Sequence, residues 1–298
     1  MTRSAKASWC VAVLASCSWG PTSETCDIAA AVDHPKTIAK PGSRMGIELF
    51  AFDGGSSFIP NKAMFHDAYR GQGPITLPVT CFLVVHPKGS LMWDTGHDQA
   101  LGEPGARVPD RYMLKVKQSL TSQMAKIRMQ PEDVNFLAFS HWHFDHTGNA
   151  NLFTNATVIG QRDEHEYALG REANGGFGMK PSTYSGIHKN PSDLFIGDRD
   201  VFGDGSVRIV RVGGHTIGSQ ILIVRLSNRT IVLSGDIYHF AEQRKYRRVP
   251  PFNYDHAGTV TGMQRVEDVL AATADAELWI THDPEQMAQL RYAPEVYR

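Results

Sequence analysis

The sequence predicts a mixed α/β protein in which strands alternate with amphipathic helices around sheets. Apolar runs of strand length recur from Gly46 onward, and two longer stretches carry apolar residues at helical spacing. Four of the apolar runs stop directly before a His or an Asp, which is how strand ends in layered α/β proteins deliver side chains to one shared edge. At 298 residues, 42% hydrophobic and 20% charged, the chain can bury one large core or two modest ones and has an ordinary globular composition. A net charge of −1 excludes the basic balance of a nucleic-acid-binding protein.

Residues 1–44 read as a leader followed by a flexible tether. Arg3 and Lys6 precede a short apolar run from Ala7 to Leu14, and Leu14-Ala15-Ser16-Cys17 has the form of a lipobox. The expectation is an export signal with a lipid anchor at Cys17, and therefore an exported, periplasmic or membrane-anchored protein. A disordered leader on a cytoplasmic protein is the alternative. No run of 18 apolar residues occurs, so no conventional membrane-spanning helix is expected. Three of the 4 cysteines, Cys10, Cys17 and Cys26, lie in the leader. That excludes a cysteine-based zinc site and a disulfide within the body. Cys81, inside CFLVV, reads as a buried core thiol.

Residues 45–298 read as a single domain. GIELFAF is a strand leading to a turn at Asp53-Gly54-Gly55, and CFLVV and LMWDTG are strands joined by the hairpin composition HPKGS. From residue 111 to 128, Met113, Leu114, Val116, Leu120, Met124 and Ile127 fall mostly at helical spacing, which predicts a helix broken by Pro131. VNFLAFS then runs into His141, VRIVRVGG into His215, TIVLSG into Asp236 and ELWIT into His282. Between the last two, Met263, Val266, Val269 and Leu270 line one helical stripe.

The densest chemistry is in SHWHFDHTGN, residues 140–149. Residues two apart at a strand end point the same way, so His141 and His143 can chelate one ion. Asp145 and His146, where the chain turns toward a helix, can face a second. His215 can complete the first set and His282 the second, while Asp236 can offer one oxygen to each ion. Two divalent ions are expected, Zn first, with Mn, Co or Fe suiting the same imidazole and carboxylate donors. Paired ions about 3.5 to 4 Å apart activate a water and polarise a substrate oxygen, which is hydrolytic machinery.

The His-x-His-x-Asp-His core, followed by Gly-His-Thr at 214–216, Gly-Asp at 235–236 and a late His282, resembles the metallo-β-lactamase superfamily. The resemblance implies an αββα four-layer sandwich and assigns His141, His143 and His215 to one metal, Asp145, His146 and His282 to the other, and Asp236 to the bridge. Within the superfamily, FDGGS, WDTGH and the stretch from Gly235 to His239 are similar to the N-acyl homoserine lactonases. That implies hydrolytic opening of a small-molecule lactone, quorum quenching as the role, and Asp145 as the residue that orients the nucleophile and carries a proton to the leaving oxygen. Several such lactonases carry a tyrosine three residues after the bridging aspartate that donates to the substrate carbonyl. His239 stands there in this chain, with Tyr238 just before it, so both are candidates for that contact.

The same resemblance suggests substrate-pocket residues. Phe58, Ile59, Met64 and Phe65, placed after the first strand, form a candidate lid for an acyl chain, with packing under a loop as the equal alternative. Trp142 and Phe144 are candidate pocket walls, with core as the alternative. Asp94 in WDTGH is expected to support a ligand histidine. A glyoxalase II-like thioesterase shares the ligand set but uses an added C-terminal region, and 16 residues follow His282 here. Other esters and lactones, and a non-catalytic scaffold, are the remaining alternatives. The cluster Arg244, Lys245, Arg247 and Arg248 reads as a solvated loop, with a rim that attracts an anionic substrate or membrane leaflet as the alternative. Most of the eight histidines outside the ligand set, His97 among them, read as surface or hydrogen-bonding residues.

Overall fold

The computed structural model describes residues 46–108, 112–170 and 178–298, so the leader and Cys17 lie outside the described residues. The first sheet contains β1 (Glu48–Ile59), β2 (Ile75–His86), β3 (Gly89–Trp93), β4 (Ala106–Val108), β5 (Tyr112–Lys115), β6 (Phe136–Ala138), β7 (Thr157–Gln161) and β8 (Ser192–Phe195), in the order β4-β5-β1-β2-β3-β6-β7-β8. The second contains β9 (Arg199–Asp200), β10 (Val207–Arg211), β11 (Gln220–Arg225), β12 (Thr230–Leu233) and β13 (Ala276–Trp279), in the order β13-β12-β11-β10-β9. The helices are α1 (Leu120–Lys126), α2 (Phe144–Thr147), α3 (Arg162–Leu169), α4 (Ala241–Tyr246), α5 (His256–Ala272) and α6 (Pro284–Met287). None of the described helices is long and apolar enough to cross a membrane.

Strand alternation explains the layers. Along β1, Leu49 and Ala51 face the second sheet, where they join Phe82, Trp93, Leu222 and Leu233 in a core between the sheets. Phe50 and Phe52 point the other way and pack with Leu83, Met92, Leu120 and Met124 beneath α1. On the far side, Ile221, Ile223 and Val232 leave the second sheet to meet Met263 and Val266 of α5. The stripe read from the sequence is therefore the face by which α5 covers its sheet. Each fully buried Phe, Leu or Ile in these layers contributes about 1.5–3 kcal/mol relative to exposure. Helix, sheet, sheet and helix make four layers, the αββα arrangement.

Three local expectations are corrected. Asp53-Gly54-Gly55 is not a turn: β1 continues through it, with a bulge between Asp53 and Ser56 against β2. Phe58 and Ile59 consequently belong to β1 and do not follow it. The predicted helix over 111–128 begins only at Leu120, because Met113 and Leu114 pair with Phe58 and Ser57 as β5. Cys81 is fully buried among the apolar residues on the outer face of the first sheet.

Candidate metal centre and substrate cleft

The strand ends converge. β3 and β6 lie parallel in the first sheet, as β12 and β13 do in the second, so their C-terminal ends open on the same rim. His141 lies three residues beyond β6, and His143 caps the short helix α2 that carries Asp145 and His146. His215 follows β10 after Gly214, whose φ is +92° and whose missing Cβ would lie 2.3 Å from the Thr259 backbone nitrogen. Only glycine lets the loop pass α5 there and present His215. Asp236 follows β12 on a single turn (Gly235–Ile237), and His282 lies just past β13.

Among the overlapping groups of ligand-type atoms that could hold a metal ion, two match the expected sets, His141 with His143 and His215, and Asp145 with His146 and His282. In the first, His215 Nε2 lies 3.2 Å from His141 Nε2 and 3.1 Å from His143 Nδ1. In the second, His282 Nε2 lies 3.3 Å from His146 Nε2 and 3.6 Å from Asp145 Oδ2. Asp236 stands between them. Its Oδ2 is 3.8 Å from His141 Nε2 and 3.6 Å from His215 Nε2, while its Oδ1 is 3.3 Å from His146 Nε2 and 3.1 Å from His282 Nε2. One oxygen faces each group.

The outer nitrogens show what the inner ones are for. His146 Nδ1 donates to Asp94 Oδ2 at 3.0 Å, His282 Nδ1 to the Pro78 carbonyl at 2.7 Å and His215 Nδ1 to Asn253 Oδ1 at 2.9 Å. With a proton held on Nδ1, each ring turns its Nε2 lone pair inward. Asp236 Oδ1 is buried among these nitrogens with no hydrogen-bond partner among the described residues. Facing lone pairs around a buried carboxylate oxygen are an arrangement that a bound cation would satisfy.

Electrostatics agree. Burial, with repulsion from neighbouring histidines, holds His141 and His215 well below the usual histidine range, and burial lowers His143 to about 4. The first group is thus neutral near pH 7, as metal ligation requires. At His146 and His282 burial again favours the neutral ring, but the carboxylates of Asp94, Asp236 and Asp145 outweigh it at His146, and those of Asp236 and Asp145 at His282, raising both. Burial works against the charged forms of Asp145 and Asp236, yet the histidines around them pull both below the usual range. The second group therefore attracts positive charge.

A cleft of about 510 Å³ opens over both groups, walled by Ile59, Met64, Phe65, Leu77, Leu101, Leu114, Phe144 and Phe252. Of the candidate pocket residues, Ile59, Met64, Phe65 and Phe144 line it. Phe58 does not; it is 41% exposed on β1. Trp142 does not either, because it packs against Phe139 and Tyr184 in the core under the first sheet. Tyr238 is corrected as a substrate contact: its hydroxyl is turned away from the cleft, within hydrogen-bonding distance of two acceptors, Glu267 Oε1 at 3.1 Å and the Met263 carbonyl at 3.3 Å. His239 lines the cleft instead, with Nε2 3.2 Å from Asp236 Oδ2 and Nδ1 3.2 Å from Gln243 Oε1.

Two residues at the site were not singled out for it in the sequence. His97 is buried in the cleft wall and its pKa is lowered to about 4 by burial. Its signal was available, since it directly follows the strand end WDTG that supplies Asp94. Buried Glu164, on α3, accepts from the backbone N–H of Trp142 at 3.2 Å and of Gly218 at 2.7 Å. It thereby ties the loop between His141 and His143 to the loop that carries His215, and no local pattern marks it.

A four-layer sandwich that gathers His and Asp from both sheets into one buried cluster able to hold metal defines a protein of the αββα class. Residues 74–278 match the Metallo-beta-lactamase superfamily, and the chain belongs to that superfamily. It is 31% identical over 253 residues, 79% of this chain and 94% of the relative, to N-acyl homoserine lactonase AttM of Rhizobium radiobacter. It is 26% identical over 228 residues, 74% of this chain and 87% of the relative, to N-acyl homoserine lactonase AiiA of Bacillus thuringiensis subsp. kurstaki. Among solved structures it is similar to an N-acyl homoserine lactone hydrolase with the product N-hexanoyl-L-homoserine bound at the catalytic metal center, with a TM-score of 0.71 and 23% identity over 84% of this chain and 98% of that one. That likeness shows a shared fold.

Proposed function

We propose that this protein is a metal-dependent hydrolase that opens the lactone ring of N-acyl homoserine lactones, using two divalent ions, Zn first, with Mn, Co or Fe as alternatives. The observation that carries the reading is Asp236, with one oxygen toward each buried ligand group, at the floor of an apolar cleft. The lactonase relatives support the substrate class. His141, His143, His215 and Asp236 would hold one ion, and Asp145, His146, His282 and Asp236 the other. Bound ions would supply Lewis acidity toward the lactone carbonyl and make water nucleophilic at neutral pH.

The chain's own residues do the rest. Asp145, held ionised by its histidine neighbours, orients the attacking water and takes its proton. As the new carbon–oxygen bond forms, negative charge grows on the carbonyl oxygen, and His239, which lines the cleft, would donate to it from Nε2. The ring carbon–oxygen bond then breaks, and Asp145 returns the proton to the departing alkoxide. The products are a carboxylate and an alcohol. Ile59, Met64, Phe65 and Phe144 would take the acyl chain out of water.

The test is a panel of N-acyl homoserine lactones, thioesters and phosphodiesters given to the purified metal-loaded protein, followed by acid release and product mass. Lactone opening with a gain of one water is expected. If lactones of every chain length stay intact while another ester is cleaved, the substrate reading fails.

A further inference from the structure

Most of the cleft wall is apolar, and polar side chains enter it at a few places, His97 and Ser57 among them. His97, at the end of β3, stands in the wall with its ring 5.7 Å from that of Phe144 and tilted by only 14°. Its Nε2 is 2.9 Å from Ser57 Oγ on β1, and Ser57 also lines the cleft. Its Nδ1 is buried and has no hydrogen-bond partner among the described residues. If Ser57 donates, Nδ1–H is an unanswered donor; if Nε2–H donates to Ser57, Nδ1 is an unanswered acceptor. Folded proteins rarely leave such an atom open, and in a wall beside a binding cleft a polar atom of the ligand can supply the missing partner once the ring tips toward it. Asp145 does not fill the role, since Nδ1 has no bond to it. Ile59, Leu101 and Leu114 nearby offer only hydrocarbon.

Resting on the lactonase reading, we propose that His97, held by Ser57, is a specificity-determining residue that hydrogen-bonds a polar group on the acyl arm of the substrate, beyond the lactone ring. An N-acyl arm carries such groups at two places: its amide, and the third carbon when that carbon bears an oxygen. A site built around a polar atom discriminates strongly against an analogue that leaves it unpaired. A plain alkyl lactone, which offers only hydrocarbon there, gains nothing from His97.

The experiment compares wild type, His97→Phe and Ser57→Ala, all metal-loaded and checked by melting temperature, on N-decanoyl homoserine lactone, its 3-oxo counterpart and an alkyl γ-lactone. His97→Phe keeps a ring against Phe144 and removes both nitrogens. The expected result is a kcat/KM loss on the arm-bearing substrates about tenfold larger than on the alkyl lactone, expressed mainly in KM. Ser57→Ala, which frees the His97 ring without removing it, is expected to show a smaller loss of the same pattern, and it carries the test if His97→Phe does not fold. Loss on both N-acyl substrates assigns the partner to the amide; loss confined to the 3-oxo substrate assigns it to that oxygen. Equal loss on all three, or none on any, overturns the proposal. A wild-type protein that turns over none of them overturns the lactonase reading as well.

Discussion

Asp94→Asn tests the wiring of the second ligand group with a change of one atom. Asp94 is buried at 1% exposure and both its oxygens are used, Oδ1 by the Ser140 backbone N–H at 2.7 Å and Oδ2 by His146 Nδ1 at 3.0 Å. Asparagine has one acceptor for these two donors. The backbone N–H cannot turn, so the amide oxygen stays with Ser140 and the NH2 faces His146. The ring then holds its lone pair on Nδ1 and its proton on Nε2, which points at Asp236 Oδ1 3.3 Å away, into the space an ion would occupy. Loss of such a supporting carboxylate costs about 10–100-fold in metal affinity, or roughly 1.4–2.7 kcal/mol. Competition with a chromophoric chelator measures this directly. The variant is expected to retain one ion like wild type and to release the other at a lower chelator concentration. Two ions held within twofold of wild-type affinity, in a protein that melts normally, would refute the tautomer argument.

Tyr238 and His239 separate cleanly by mutation. Tyr238→Phe loses hydrogen bonds outside the cleft, so a stability loss of about 1 kcal/mol and kcat within twofold of wild type are expected in melting and turnover assays. His239→Phe removes a donor from the cleft floor and is expected to lower kcat about 10²–10³-fold. Acid should weaken the metal-free protein in a way that His97→Phe partly removes. His97 titrates at about 4 when folded, against about 6.5 unfolded. The unfolded chain therefore binds this proton first as the pH falls. Stability is unaffected above pH ~6.5, declines by about 3 kcal/mol on the way down to pH ~4, and changes no further below it. Denaturant melts at stepped pH should show a shallower decline in the variant.

What the sequence disclosed and what it hid follow one physical division. His141, His215, Asp236 and His282 were legible because each sits where a short apolar run stops, and strand periodicity and residue type are both local. β5 was misread because Met113, Leu114 and Val116 fit a helix as well as a strand, and the pairing with β1 that decides is tertiary. Trp142 lies between two inward histidines beyond the end of β6, and its packing against Phe139 and Tyr184 is a tertiary contact that the local pattern does not record. Tyr238 and His239 are adjacent residues after a tight turn, and only the backbone path through Gly235–Ile237 decides which one enters the cleft. Glu164 acts by accepting two distant backbone N–H groups, which no spacing in the sequence records.

The central claim is that the cluster around Asp236 holds metal and that the metal opens lactones. Its most direct measurement is the ring-opening rate of N-decanoyl homoserine lactone by one protein sample, as purified, after exhaustive chelation with metal content measured, and after a divalent ion is added back. Activity should fall with the ions removed and return as about two equivalents are rebound, with Asp236→Asn neither holding both ions nor recovering. Turnover that survives complete chelation, or none in a protein carrying two ions, would contradict it.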